Sequence, residues 1–120
     1  MANVLIVEDT NTEAEIMMSA LRGAGFNTMR VASGPEARMH LNQQKPDLIV
    51  LDVVLPGESG FELCRDLKDQ PATKNIPIVI CSTKSGEMDK FWGMKQGAAT
   101  YLAKPIVPDE LVRAVKLLIG

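Results

Sequence analysis

Leu48-Ile49-Val50-Leu51-Asp52 is an apolar, β-branched-rich run that ends on a bare carboxylate, and a turn carrying Pro56 and Gly57 follows. Such a run suits a strand covered on both faces, the kind found in parallel sheets. Two other runs end in a similar way: Val4-Leu5-Ile6-Val7 stops at Glu8-Asp9, and Tyr101-Leu102-Ala103 stops at Lys104-Pro105. Acids and a lysine thus leave strands at their C-terminal ends. Open α/β sheets bind ligands outside those ends, so these charges are expected to converge on one site.

Short apolar runs alternate with helical patterns along the chain, which predicts an α/β fold: a doubly wound, five-stranded parallel sheet with five flanking helices. The first helix should open near Thr10, where Thr10-Asn11-Thr12-Glu13 has capping-box spacing. Phe26 to Val31 is more polar, as suits an edge strand. Ser33-Gly34-Pro35-Glu36 repeats the capping spacing ahead of a helix reaching Gln44, and a third helix is expected from about Glu58 to Lys68. The fourth strand reads as Ile76 to Cys81 with Ser82 at its exit, and the fifth as Ala98 to Ala103. Between them, Gly86 to Gln96 is helical but untidy: Met88, Phe91, Trp92 and Met94 make no single stripe. The last helix starts at Pro108 with Leu111, Val115 and Leu118 on one face, and Met17, Met29 and Met88 read as core fillers.

The 120 residues suit one domain, 1–120, with no linker, repeat or low-complexity tract inside it. A net charge of −2 supplies no basic field for nucleic acid or anionic lipid. Without a leader pattern or a bilayer-length apolar run, a cytoplasmic protein with no membrane insertion is expected. Cys64 and Cys81 lack metal or redox spacing and read as reduced, packed thiols. His40 has no phosphotransfer motif around it and reads as a surface or packing residue.

Glu8, Asp9 and Asp52 brought within a few ångströms would repel by about 4 kcal/mol per pair near a protein surface, so the cluster calls for a cation. Hard carboxylate oxygens without His or Cys select Mg²⁺, with Mn²⁺ as the alternative, and Mg²⁺ prefers to share its shell with a phosphate oxygen. Held mainly by Glu8 and Asp9, the metal would leave Asp52 to attack phosphorus and form an acyl phosphate. Lys104 and the Ser82 hydroxyl would bind the phosphoryl oxygens opposite the metal.

With these residues in view, the chain resembles along its whole length the receiver domain of two-component response regulators, the CheY-like, flavodoxin-like fold. The resemblance implies strand order 2-1-3-4-5, Mg²⁺ binding by Glu8, Asp9, Asp52 and the backbone carbonyl of Val54, and phosphorylation of Asp52 by a histidine kinase or its phosphotransfer domain. It assigns phosphoryl binding to Ser82 and Lys104, the switch to Ser82 and Tyr101, and a cis bond to Pro105. The family's output face, formed by the fourth helix, fifth strand and fifth helix, would here include Lys84, Trp92, Lys95 and Tyr101 and bind a downstream protein. Cys81-Ser82-Thr83-Lys84 and Phe91 to Ala98 are similar, more narrowly, to PilH-type stand-alone regulators of chemotaxis-like systems that drive type IV pili, phototactic ones included. Thr83 departs from the small residue usual after the switch hydroxyl, and Glu58-Ser59-Gly60 from the frequent Asp-Gly pair.

Other readings remain. A small aspartyl-phosphate hydrolase of the haloacid-dehalogenase type would use the same Asp, metal and Lys, but wants a second acid where Val54 stands. A flavin-binding protein would place phosphate on Thr10-Asn11-Thr12, where Glu8 and Asp9 repel it. Tyr101 could simply fill the gap under the fourth helix, and Trp92 could be ordinary core. The favoured expectation is a phosphoacceptor signalling protein, not an enzyme acting on other molecules, without an output domain after Gly120; a receiver excised from a longer regulator would look the same.

Overall fold

The computed structural model describes residues 2–120. Strands and helices alternate: β1 (Asn3–Val7), α1 (Asn11–Gly23), β2 (Asn27–Val31), α2 (Gly34–Gln43), β3 (Leu48–Leu51), α3 (Gly60–Asp69), β4 (Ile78–Ser82), α4 (Glu87–Lys95), β5 (Thr100–Ala103) and α5 (Pro108–Ile119). The five strands form one sheet in the order β2-β1-β3-β4-β5, and every neighbouring pair is parallel. The expected fold and strand order are therefore present, with the more polar β2 at an edge. β4 and β5 begin two residues later than the apolar pattern suggested, because Pro77 and the turn at Gly97 (φ 106°) occupy the approaches.

Alternation along the strands sends side chains to both faces, and each face has its own core. On one side Val4, Ile6, Val50, Val79 and Leu102 pack with Met17 and Leu21 of α1 and Leu111 and Val115 of α5. On the other, Leu5, Val7, Ile49, Leu51 and Ile80 meet Ala37 and Leu41 of α2 and Leu63, Cys64 and Leu67 of α3. Burial of each such side chain contributes roughly 1.5–3 kcal/mol. Ala114, rather than Leu118, completes the inner stripe of α5; Leu118 lies at the margin of that stripe and is exposed. Both cysteines are buried and unpaired, as their packing in apolar runs implied.

α4 is attached differently. Its one buried residue is Gly93, and Met88, Phe91, Trp92 and Met94 are all exposed. The ring of Tyr101 explains the glycine: a Cβ there would stand 2.6 Å from Tyr101 Cε2. The reading of Met29 and Met88 as core fillers fails, since Met29 projects from edge strand β2 and Met88 from α4, while Met17 is buried as expected.

The β3–α3 connection is closed tightly behind the sheet edge. Gly60 N donates to Val53 O at 2.7 Å, and Val54 bridges Ser59 in antiparallel fashion. A Cβ on Gly60 would lie 2.0 Å from the backbone oxygen of Asp52. Gly60→Ala must therefore push the β3 exit out of place, and a loss of about 3 kcal/mol is expected from such overpacking. Urea unfolding of the variant measures it; a midpoint equal to wild type would show that the loop yields freely.

Candidate functional site

The strand ends carry their charges onto one edge because the ladder continues one residue beyond the strands. Glu8 N donates to Val31 O at 3.0 Å, Asp52 N to Val7 O at 3.1 Å, and Lys104 N to Ser82 O at 3.0 Å. The side chains of Glu8 and Asp52 consequently emerge beside each other from adjacent strands, and Lys104 reaches across from β5. Its ammonium stands 2.6 Å from Glu8 Oε1, 2.9 Å from Asp52 Oδ2 and 2.9 Å from Glu13 Oε1. Only 3% of the Lys104 side chain and 1% of the Glu8 side chain are accessible. The remaining oxygens are held by backbone: Asp52 Oδ1 accepts from Val54 N at 3.2 Å, and Glu8 Oε2 from Thr10 N at 3.1 Å.

Burial pushes the Glu8 carboxyl above its ordinary range, and the Lys104 and Thr10 hydrogen bonds pull back without cancelling it. Burial alone would lower Lys104, but its hydrogen bonds to Glu8, Asp52 and Glu13 outweigh that, so its pKa is raised and it stays cationic. Glu13 is a partner the sequence reading missed. The capping-box spacing suggested that it would cap α1, yet the N-cap Thr10 has no side-chain cap bond. Glu8 already accepts from the Thr10 N–H, and the Glu13 carboxylate turns to the stronger charge-assisted partner, Lys104.

Asp9 is exposed and stands outside the set of carboxylates gathered by Lys104. Its loop is nevertheless fixed from edge strand β2, where Arg30 donates to Glu8 O at 3.0 Å, Asp9 O at 3.1 Å and Asn11 Oδ1 at 2.6 Å. Arg30 too was missed, since nothing in a mixed edge-strand run marks one arginine as a clamp. Among the described residues no three His, Cys, Asp or Glu side chains already stand as a metal cluster. The positive charge between Glu8 and Asp52 is the Lys104 ammonium. The donor chemistry still suits a hard divalent cation: carboxylate oxygens at the sheet edge, with no imidazole or thiolate among them.

The profile of the response regulator receiver domain matches residues 4–116. The chain belongs to that family. PilH of Pseudomonas aeruginosa is 35% identical over 120 residues, which cover all of this chain and 99% of that protein. MtrA of Mycobacterium tuberculosis, a DNA-binding response regulator, is 37% identical over 113 residues, 94% of this chain but 48% of MtrA. The chain thus spans about half the length of that relative. Among solved structures, a response regulator from Chloroflexus aurantiacus superposes with a TM-score of 0.94 at 41% identity, covering 98% of this chain and 96% of the other. The Mn²⁺-bound response regulator Rcp1 superposes with a TM-score of 0.81 at 26% identity, covering 97% and 90%.

In this receiver the two residues singled out for switching meet at Lys84. Ser82 is fully buried, and its Oγ accepts from Lys84 N at 3.2 Å. The Tyr101 hydroxyl donates to the Lys84 carbonyl. Tyr101 also fills the space under α4, its ring 6.5 Å from that of Phe61 and against Gly93. The expectation that Tyr101 fills the gap under the fourth helix is therefore met: this rotamer packs beneath α4 and holds the β4–α4 loop. The Lys104–Pro105 bond is cis. Of the residues named for the output face, Lys84, Trp92 and Lys95 are exposed and Tyr101 is half-buried, with Lys95 Nζ 5.8 Å above the Phe91 ring.

Two measurements probe this arrangement. Lys104→Met leaves three carboxylates without their cation, and removal of one partner from a buried ion pair costs about 3–5 kcal/mol. Urea unfolding in a metal-free buffer should show a loss of that order; a change within error would mean that the acids are already solvated. Tyr101 is the sole tyrosine, and burial, then Asp89 and Asp52, push its pKa up from 10.0 to about 12. The unfolded phenol loses its proton first, so stability should fall as pH rises from the ordinary value toward the raised one. Phenolate absorbance of the folded protein should accordingly titrate near 12; titration near the ordinary value would show a free, exposed ring.

Proposed function

We propose that this receiver accepts a phosphoryl group on Asp52 from a histidine kinase or its phosphotransfer domain and thereby changes which protein it binds. The observation that carries this reading is the junction of Glu8, Asp52 and Lys104 at three strand ends, with one carboxylate and one ammonium both buried and facing the same point. Asp52 is suited to attack because Val54 N–H and the Lys104 ammonium fix both its oxygens. An Asp52 oxygen forms the new bond to phosphorus as the bond to the donor breaks, and the donor leaves with the electron pair. Lys104 is within reach of the anion that results, and Ser82, at the adjacent strand exit, can turn its hydroxyl from Lys84 to the phosphoryl oxygen.

Glu8, Asp9, Asp52 and the Val54 carbonyl are the groups that would hold Mg²⁺, and the Mn²⁺ in Rcp1 supports a divalent ion in this family. Such an ion supplies charge neutralisation for the transferring phosphoryl group. Withdrawal of the Ser82 hydroxyl from Lys84 N would free the loop that Tyr101 grips by the Lys84 carbonyl, and α4 follows because its anchor is Gly93 on the Tyr101 ring. The exposed Met88, Phe91, Trp92 and Met94 then form the surface that a downstream protein reads. Similarity to PilH over the full length supports a role in pilus-driven motility, through protein contacts made by this one domain.

Incubation with Mg²⁺ and acetyl phosphate, followed by intact-mass measurement, tests the reading. Wild type should gain one phosphoryl group and Asp52→Asn none. An adduct of equal yield on Asp52→Asn, or no adduct on wild type, would falsify it.

A further inference from the structure

Lys104 Nζ donates hydrogen bonds to two carboxylates, those of Glu8 and Asp52, and is ion-paired with a third, that of Glu13. Lys104 Nζ meets Glu8 Oε1 at 2.6 Å, Asp52 Oδ2 at 2.9 Å and Glu13 Oε1 at 2.9 Å. A phosphoryl oxygen that approaches Lys104 competes with these carboxylates for the ammonium. The three are unequal. Glu8 and Asp52, whose side chains are 1% and 9% accessible, are also the carboxylates that would turn to Mg²⁺ and to phosphorus, whereas Glu13 lies outside that set. Glu13 is 33% accessible, and water can take the place of the lysine.

A second observation singles out the same residue. Glu13 sits at the capping-box position of α1, yet the Thr10 side chain makes no cap bond and the Thr10 N–H donates to Glu8. The carboxylate that the helix end would use is engaged by Lys104 instead. This contact lies outside the acids, hydroxyl and lysine that the receiver resemblance assigns.

We propose that Glu13 is a positioning residue that is ion-paired with Lys104 in the unphosphorylated protein and competes with the phosphoryl group for it, so that it restrains phosphorylation. The inference rests on Asp52 as phosphoacceptor. In transfer from acetyl phosphate, an Asp52 oxygen bonds to phosphorus, the bond from phosphorus to the acetate oxygen breaks, and acetate leaves with the electron pair. Glu13 takes no part in that exchange. It sets how readily Lys104 turns to the product's oxygens.

The test compares wild type with Glu13→Gln, Glu13→Asp and Glu15→Gln in Mg²⁺ and acetyl phosphate, reading the initial rate of phosphate gain by intact mass. Glu13→Gln weakens the contact by removing the charge, and Glu13→Asp keeps the charge but shortens the reach. Both should react about two- to fivefold faster, the range set by a partly exposed ion pair. Glu15, exposed on the same helix, carries an equal charge outside the Lys104 cluster, and Glu15→Gln should match wild type. Beryllofluoride affinity, an equilibrium readout that a purely structural role of Glu13 would leave unchanged, should rise by a similar factor in the two Glu13 variants. Rates and affinities equal to wild type in both would overturn the proposal, as would an equal gain in Glu15→Gln, which would mark a general charge effect. Absence of any Asp52-dependent adduct in wild type would instead overturn the function on which the proposal stands.

Discussion

A single ammonium among three carboxylates governs this molecule's functional edge. Two unit charges about 4 Å apart near a protein surface interact by about 4 kcal/mol, so Glu8 and Asp52 could not be driven to the ends of adjacent strands without a compensating cation. Lys104 provides it from β5, two strands away from β3 in the sheet. The parallel order decides that this is feasible, because all five strands point their C-terminal ends to the same edge. An antiparallel arrangement of the same runs would have split the charges between opposite edges. The cost of gathering them is met by the two apolar cores, one on each face, which hold the strand ends in register.

The same edge is bordered by the least anchored element. α1, α2, α3 and α5 each bury two or more apolar side chains, whereas α4 buries a glycine and leans on the ring of Tyr101. Elements with few buried apolar contacts have the lowest opening free energies. A small rearrangement at Ser82 therefore has a short mechanical path outward: Ser82 to the backbone of Lys84, Lys84 to the Tyr101 hydroxyl, and the Tyr101 ring to Gly93. Every link is a direct contact. The apolar surface of α4 is exposed at the end of that path.

Much of this is legible in the sequence. Leu48 to Leu51 announces a doubly covered strand through its unbroken apolar run, and Asp52 is visible as an acid where such a run stops. Glu8, Ser82 and Lys104 are visible for the same reason, since strand ends are marked locally by the change from apolar to polar. Met29 and Met88 were misread because methionine's hydrophobicity carries no information about which face its element buries. Glu13 was misread because its spacing to Thr10 is a good local capping pattern; a stronger, distant charge won the carboxylate.

The sequence by itself determined the element types, the alternation that makes both faces of the sheet apolar, and the identity of the groups at the strand exits, because each of these is set by residues within a few positions of one another. Only the tertiary structure decided the company those groups keep. Glu8, Glu13, Asp52 and Lys104 are brought together from β1, α1, β3 and β5, and Ser82 and Tyr101 are joined through the backbone of Lys84. Hydrogen bonds and ion pairs are short-ranged and directional, so which partner a buried charge takes is resolved only when distant segments of the chain compete for it in three dimensions.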